Sequence, residues 1–185
     1  MTSKKVVELF YDVVSPYSWL GFEVMCRYRN VWNIELKLRP AFLGGVMQGA
    51  GSLSAMRFVT AVQQIEKGGD KQVERVSREL WRRIWSEDKD ITQPQSFSEA
   101  AKKAGLTDSK IEEALKLCTS QEIKDKLKHT TEEALNYGAF GFPMVICHID
   151  GKPEMFFGSD RFELMANCMG EKWLGPTPNS SASKL

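Results

Sequence analysis

Apolar positions alternate or cluster in short runs near both ends of the chain, and recur at helical spacing through most of its middle. Val6 to Tyr11 is a compact apolar run bounded by polar residues, which predicts a buried strand. From Tyr17 to Trp32 the apolar residues Leu20, Val24, Cys26, Tyr28 and Val31 recur near the helical period. Pro16 stands at a first-turn position and Asn33 marks the end. Ile34, Leu36 and Leu38 then alternate with Glu35, Lys37 and Arg39, predicting a half-buried strand stopped by Pro40. A strand, a helix and a strand in this length make a βαβ unit with a right-handed crossover.

Phe42 to Gly51 is Gly-rich and irregular. Helical periodicity then takes over. Leu53, Met56, Val59 and Ile65 mark one helix, ended by Gly68 and Gly69. Val73, Val76, Leu80 and Ile84 mark another, its apolar face widened by Trp81 and Trp85. Ser96 with Glu99 forms a capping-box pattern before a short helix closed at Gly105, and Ile111, Leu115 and Cys118 mark the next. Thr119 with Glu122 forms a second capping box, opening a long helix to Gly138.

Beyond Phe142-Pro143 the pattern returns to strands. Met144 to His148 and Glu154 to Phe157 flank Asp150-Gly151, a hairpin-turn signature. Gly158-Ser159-Asp160 then caps a final helix through Phe162, Met165 and Cys168. The order βαβ, helices, ββα predicts an α/β fold: a thioredoxin-like sheet domain interrupted by an all-helical insertion. The expected boundaries are a discontinuous domain of residues 1–51 and 120–185 around an insertion of residues 52–119.

Composition narrows the function classes. The 185 residues are 42% hydrophobic and 26% charged, ordinary for a soluble globular chain. A net charge of +1 favours neither nucleic acid nor an anionic membrane. No apolar run reaches the length of a membrane span, and the N-terminal residues do not read as a signal peptide. Cys26, Cys118, Cys147 and Cys168 stand singly, and His129 and His148 join no metal-ligand cluster, so free thiols in a reducing compartment are expected. Cys26 and Cys118 read as small buried residues. The tail from Gly175 is expected to be too polar to pack. It ends in Ser183-Lys184-Leu185, which reads as a peroxisomal address recognised by an import receptor.

Candidate chemistry centres on Asp12-Val13-Val14-Ser15-Pro16-Tyr17-Ser18, at a strand-to-helix turn where free N–H groups and the helix dipole favour an anion. Ser15 and Ser18 occupy the spacing at which a redox protein of this architecture carries Cys-x-x-Cys. Phe142-Pro143, before a strand, is the expected place for a cis proline whose preceding residue pairs with an extended peptide. Ser159 and Asp160 offer a hydroxyl and a carboxylate to a charged ligand end. Serines in place of both thiols remove disulfide exchange and keep a peptide-thiol pocket. The chemistry then needed is activation of the ligand's own thiol. Lowering a thiol pKa of about 8.5 by about two units takes roughly 2.7 kcal/mol. A charge-assisted hydrogen bond from Ser15 supplies about 1.5–3 kcal/mol, and the helix terminus about 0.3–1 more. Singly, each feature has a structural reading: Ser15-Pro16 as an N-cap and first-turn proline, Pro143 as a helix stop, Ser159-Asp160 as a cap. Tyr17, Trp19 and Phe142 read equally as pocket wall or core.

Val7-Glu8-Leu9-Phe10-Tyr11-Asp12, Ser15-Pro16-Tyr17-Ser18-Trp19, Ser52-Leu53-Ser54-Ala55-Met56-Arg57-Phe58, Tyr137-Gly138-Ala139-Phe140-Gly141, Phe157-Gly158-Ser159-Asp160-Arg161 and Gly170-Glu171-Lys172-Trp173 closely resemble kappa-class glutathione transferases. The resemblance implies conjugation of glutathione to electrophiles without a further cofactor, a homodimer, and residence in peroxisomes and mitochondria. By position, Ser15 would stabilise the thiolate, Pro16 and Tyr17 would help form the site, Phe142 with Pro143 would pair with the tripeptide backbone, and Ser159 and Asp160 would hold the γ-glutamyl end. The family carries a few tens of further residues between Met47 and Ser52, where this chain has only Gln48-Gly49-Ala50-Gly51. Losing them is expected to leave the thiol end intact and weaken tripeptide binding. Two alternatives accompany the transferase expectation: a glutathione-dependent isomerase resembling 2-hydroxychromene-2-carboxylate isomerase, and a shortened non-catalytic form.

Overall fold

The computed structural model describes residues 3–45, 51–66 and 69–178. A four-stranded sheet forms from β1 (Lys5–Tyr11), β2 (Ile34–Pro40), β3 (Met144–Ile149) and β4 (Lys152–Phe157), in the order β2-β1-β3-β4. β1 runs parallel to β2, with Leu9 opposite Leu38, and antiparallel to β3, with Leu9 opposite Val145. The parallel pair is joined by helix α1 (Pro16–Tyr28). Asp150 and Gly151 turn the β3–β4 hairpin with φ of 49° and 78°, both left-handed as a two-residue primed turn requires. Pro153 is tolerated because β4 is the sheet's edge.

Five helices lie between β2 and β3: α2 (Leu53–Ile65), α3 (Lys71–Trp85), α4 (Pro94–Lys103), α5 (Asp108–Leu117) and α6 (Gln121–Asn136); α7 (Phe162–Met169) follows the hairpin. The strand alternation of β1 divides its side chains between two cores. Val7, Leu9 and Tyr11 join a large cluster running through α1, α2, α3, α4 and α7, whereas Phe10 joins Ala41, Ala134, Phe142, Met144 and Ile146 beneath α6. The buried Glu8, also on β1, accepts from Arg39 at 2.5 Å and pairs with His148 at 2.9 Å. Arg39 also pairs with Glu133 on α6 and stacks over Phe10 at 5.1 Å. A charge buried in a strand is tolerable only when paired in this way.

Several expected boundaries move. Helix α1 stops at Tyr28, not Trp32, because the amides of Val31 and Trp32 turn back to the Tyr28 carbonyl. Neither predicted capping box forms. α4 opens at Pro94, and Asp90 collects the amides of Thr92 and Gln93 with the Ser96 hydroxyl, while Glu99 pairs with Arg83. α6 is capped by Ser120, whose oxygen accepts from the Ile123 amide at 3.3 Å; Glu122 instead accepts from Gln64. The residue at the N-cap of α7 is Arg161, with no side-chain cap, so Ser159 and Asp160 lie just outside that helix. The tail holds on beyond Gly175, because its carbonyls, not its side chains, are bound: Tyr28 donates to the Gly175 carbonyl at 2.7 Å and Arg27 to that of Pro176 at 2.9 Å. Residues 46–50 and the terminal Ser183-Lys184-Leu185 lie outside the described residues.

Candidate active site

Ser15 stands at the N-cap of α1 in extended conformation, with Pro16 at the first helical position. Its oxygen accepts from the Ser18 amide at 3.1 Å, and its hydroxyl donates to the Phe142 carbonyl at 3.3 Å. The Phe142-Pro143 bond is cis, as expected. The Phe142 carbonyl is therefore engaged before any ligand arrives, and the same hydroxyl that would meet a sulfur is the group engaging it.

Glycine lets the third segment join this corner. A Cβ at Gly21 would stand 3.1 Å from Pro143 Cγ and 3.8 Å from Ser159 Cβ, so α1, the Phe142-Pro143 segment and the loop before α7 meet around that position. Gly158, at φ 100°, turns the chain out of β4, and a Cβ there would lie 2.8 Å from Asp160 Oδ1. Asp160 itself is largely exposed, with Arg161 3.8 Å away. Tyr17 is 65% exposed beside Ser15 and Pro16 is exposed with it. Trp19 stacks on Trp81 and Phe142 is buried, so these two belong to packing.

Trp81, Ser52 and Met56 support the site without having been singled out as site residues in the sequence, and Asp12, the first residue of the candidate stretch, joins them by its contacts. Trp81, wholly buried on α3, donates its indole N–H to the Ser15 carbonyl at 3.1 Å. Asp12, also buried, accepts from the amides of Val14 at 3.0 Å and Leu43 at 2.8 Å and from the Ser52 hydroxyl at 2.7 Å. Desolvation outweighs these three donors and pushes its carboxyl up to about 6. Met56 Sδ receives the Val13 amide at 3.3 Å. The start of α2 is thus bound directly to the turn that carries Ser15.

Two of the chain's four cysteines are poorly placed to act. Burial pushes the thiols of Cys26 and Cys147 up to about 12, which leaves them protonated and unreactive at neutral pH. Ser18, in the second position of the Cys-x-x-Cys spacing, is buried and its hydroxyl has no partner among the described residues.

A thioredoxin-like sheet bearing a cis proline opposite a helix N-cap defines the class, and residues 6–170 match the DSBA-like thioredoxin domain family. The chain belongs to that family. It is 42% identical to glutathione S-transferase kappa 1 of Homo sapiens, over 224 residues and 98% of each chain, which places it with the kappa glutathione S-transferases. The aligned length exceeds this chain's 185 residues, so part of the human protein has no counterpart within the matched region. Among solved structures, the thiol-disulfide exchange protein alpha-DsbA2 from Wolbachia pipientis superposes with a TM-score of 0.70 at 15% identity, over 91% of this chain and 82% of that one. A 2-hydroxychromene-2-carboxylate isomerase does so with a TM-score of 0.63 at 18% identity, over 89% and 94%. At such identities these two likenesses concern the fold.

Proposed function

We propose that this chain is a glutathione transferase that conjugates the glutathione thiolate to small electrophiles. The kinship with the human kappa 1 transferase supports the reading. The observation that carries it is the Ser15 hydroxyl, held at the N-terminus of α1 and donating to the Phe142 carbonyl at 3.3 Å.

The steps follow from that bond. The backbone of the glutathione cysteinyl residue pairs with Phe142 and competes for its carbonyl. The displaced Ser15 hydroxyl turns to the sulfur, and the thiol proton leaves to solvent. The remaining thiolate is stabilised by Ser15 O–H and the helix terminus. A sulfur lone pair then forms the bond to the electrophilic carbon as the leaving group departs with its electron pair. Pro16 and Tyr17 border this point, Pro143 packs behind it, and Ser159 and Asp160 receive the γ-glutamyl end, the Asp160 carboxylate facing its ammonium. No cofactor is required. The active unit is a homodimer, delivered to peroxisomes by an import receptor reading Ser183-Lys184-Leu185, with the mitochondrial matrix as a second residence.

The length of the human protein without counterpart here favours a second reading, in which the chain folds but binds glutathione weakly. Calorimetric titration of glutathione into wild type and Ser15→Ala, with thiolate absorbance followed against pH and turnover of a chloronitrobenzene, separates the two. The transferase reading expects Ser15→Ala to return the thiolate pKa toward about 8.5 and lower kcat/KM by about ten- to a hundredfold. No binding to wild type supports the second reading. A thiolate pKa indifferent to Ser15→Ala removes Ser15 from its role.

A further inference from the structure

Two adjoining cavities lie among α2, α4 and α6, and Ser15, Phe142 and Ser159 line neither of them. The larger, about 590 Å³, has apolar walls from Phe42, Leu53, Leu127 and Leu135. The smaller, about 260 Å³, is lined by Ser54, Thr92, Pro94, Phe97, Cys118 and Thr119. Arg57 and Lys124 line both, so the two cations form the shared wall.

Their charges are not used internally. Arg57 Nε is buried without a hydrogen-bond partner, and neither Arg57 nor Lys124 makes an ion pair among the described residues. On the same rim Lys128 pairs with Glu132 at 3.6 Å, and the Asp125 carboxylate accepts from the Gln121 side-chain amide at 2.7 Å, which leaves the rim with one net positive charge. Residues at the starts of three helices line the smaller cavity, together with Cys118 at the end of α5. Ser54 lies in the first turn of α2, Pro94 opens α4, and Thr119 immediately precedes Ser120, the cap of α6. A buried guanidinium nitrogen left unpaired costs free energy unless an acceptor comes from outside the chain. The apolar chamber next to it is within the size range of small-molecule sites.

We infer that Arg57 and Lys124 form a binding site for an amphipathic organic anion, distinct from the glutathione corner. Its carboxylate sits between the two cations at the helix N-termini, and its aryl or alkyl body fills the larger chamber against Phe42, Leu53 and Leu127. The site's existence does not depend on transferase activity, and its test reads binding alone.

Fluorescence titration with naphthoate, and with uncharged naphthamide as the matched neutral probe, tests the site on the full chain. Wild type is expected to bind naphthoate saturably, and naphthamide about tenfold or more weakly. Arg57→Gln and Lys124→Gln should each weaken naphthoate by about tenfold and leave naphthamide unchanged. Lys116→Gln, which removes an exposed cation that lines neither cavity, should alter neither, and saturating glutathione should not displace the probe. Equal binding of the two probes overturns the inference, as does equal weakening by Lys116→Gln. So does competitive displacement by glutathione, which would give the cations to the glycyl carboxylate of the tripeptide. Thermal melting checks each variant; should Arg57→Gln fail to fold, the half-buried Lys124→Gln decides the matter alone.

Discussion

The indole N–H of Trp81 is bound to the carbonyl of Ser15 at 3.1 Å, across 66 residues of sequence. The helical segment therefore reaches the backbone of the residue whose hydroxyl faces Phe142. Trp81 is fixed in turn by the rings of Phe22 at 4.9 Å, Tyr11 at 5.5 Å and Trp19 at 6.2 Å.

Trp81→Phe keeps an aromatic in that cluster and deletes the donor. The Ser15 carbonyl keeps the Trp19 amide at 3.2 Å, so the smaller ring and the lost indole bond together should cost about 1–3 kcal/mol in urea unfolding. Because the N-cap loses one of its restraints, the pKa of bound glutathione should rise as well. An unchanged pKa alongside lowered stability would confine Trp81 to packing.

Gly21→Ala sets two effects against each other. Alanine gains about 1 kcal/mol of helix propensity over glycine. Its Cβ, however, meets Pro143 Cγ at 3.1 Å, a contact that the Phe142-Pro143 segment must relieve by moving from Ser15. Global stability should change little while glutathione affinity falls by about tenfold, or about 1.4 kcal/mol. Calorimetry showing wild-type affinity would mean that this segment moves without consequence.

Asp12 makes stability pH-dependent with a defined sign. Its carboxyl is raised from 3.8 to about 6, so the folded chain holds a proton that the unfolded chain has lost. The stabilisation is fully present below about pH 4 and is lost as pH rises through about 6, amounting to roughly 3 kcal/mol for about two units. Asp12→Asn lacks this titration. The stability difference between wild type and variant, from urea unfolding at a series of pH values, should move against wild type across that interval. A pH-independent difference would show that the carboxyl titrates alike folded and unfolded.

Tyr28 clamps the chain beyond α7. Its oxygen donates to the Gly175 carbonyl at 2.7 Å and accepts from the Leu174 amide at 2.8 Å, while its ring stacks on Trp173 at 5.0 Å. Tyr28→Phe preserves the stacking and removes both bonds, at about 1–3 kcal/mol. Hydrogen exchange at Leu174 should accelerate strongly, with β1 amides less affected. Unaltered protection at Leu174 would place the restraint in the ring stack alone.

What the sequence disclosed and what it withheld divide along contact distance. β1, α1, β2 and the hairpin were legible because period-two and period-3.6 patterns are local, and Asp150-Gly151 names its own turn. The hydroxyl at Ser15 was legible for the same reason, as an N-cap ahead of Pro16. Adjacent hydroxyls hid the cap of α6, since Thr119 and Ser120 both suit the position and only Ser120 reaches the Ile123 amide. Asp90 was missed because it orders the turn before α4 from outside the expected box, taking the amides of Thr92 and Gln93. Trp81 to Ser15, Ser52 to Asp12 and Gly21 against Pro143 join distant segments, and no local pattern encodes such meetings.

The sheet order has a consequence for synthesis. β1 is an interior strand whose second neighbour, β3, begins at Met144, so its edge stays unpaired while more than a hundred residues are translated. Until β3 emerges from the ribosome, the nascent βαβ unit exposes a strand rich in apolar residues that is open to pairing with other chains.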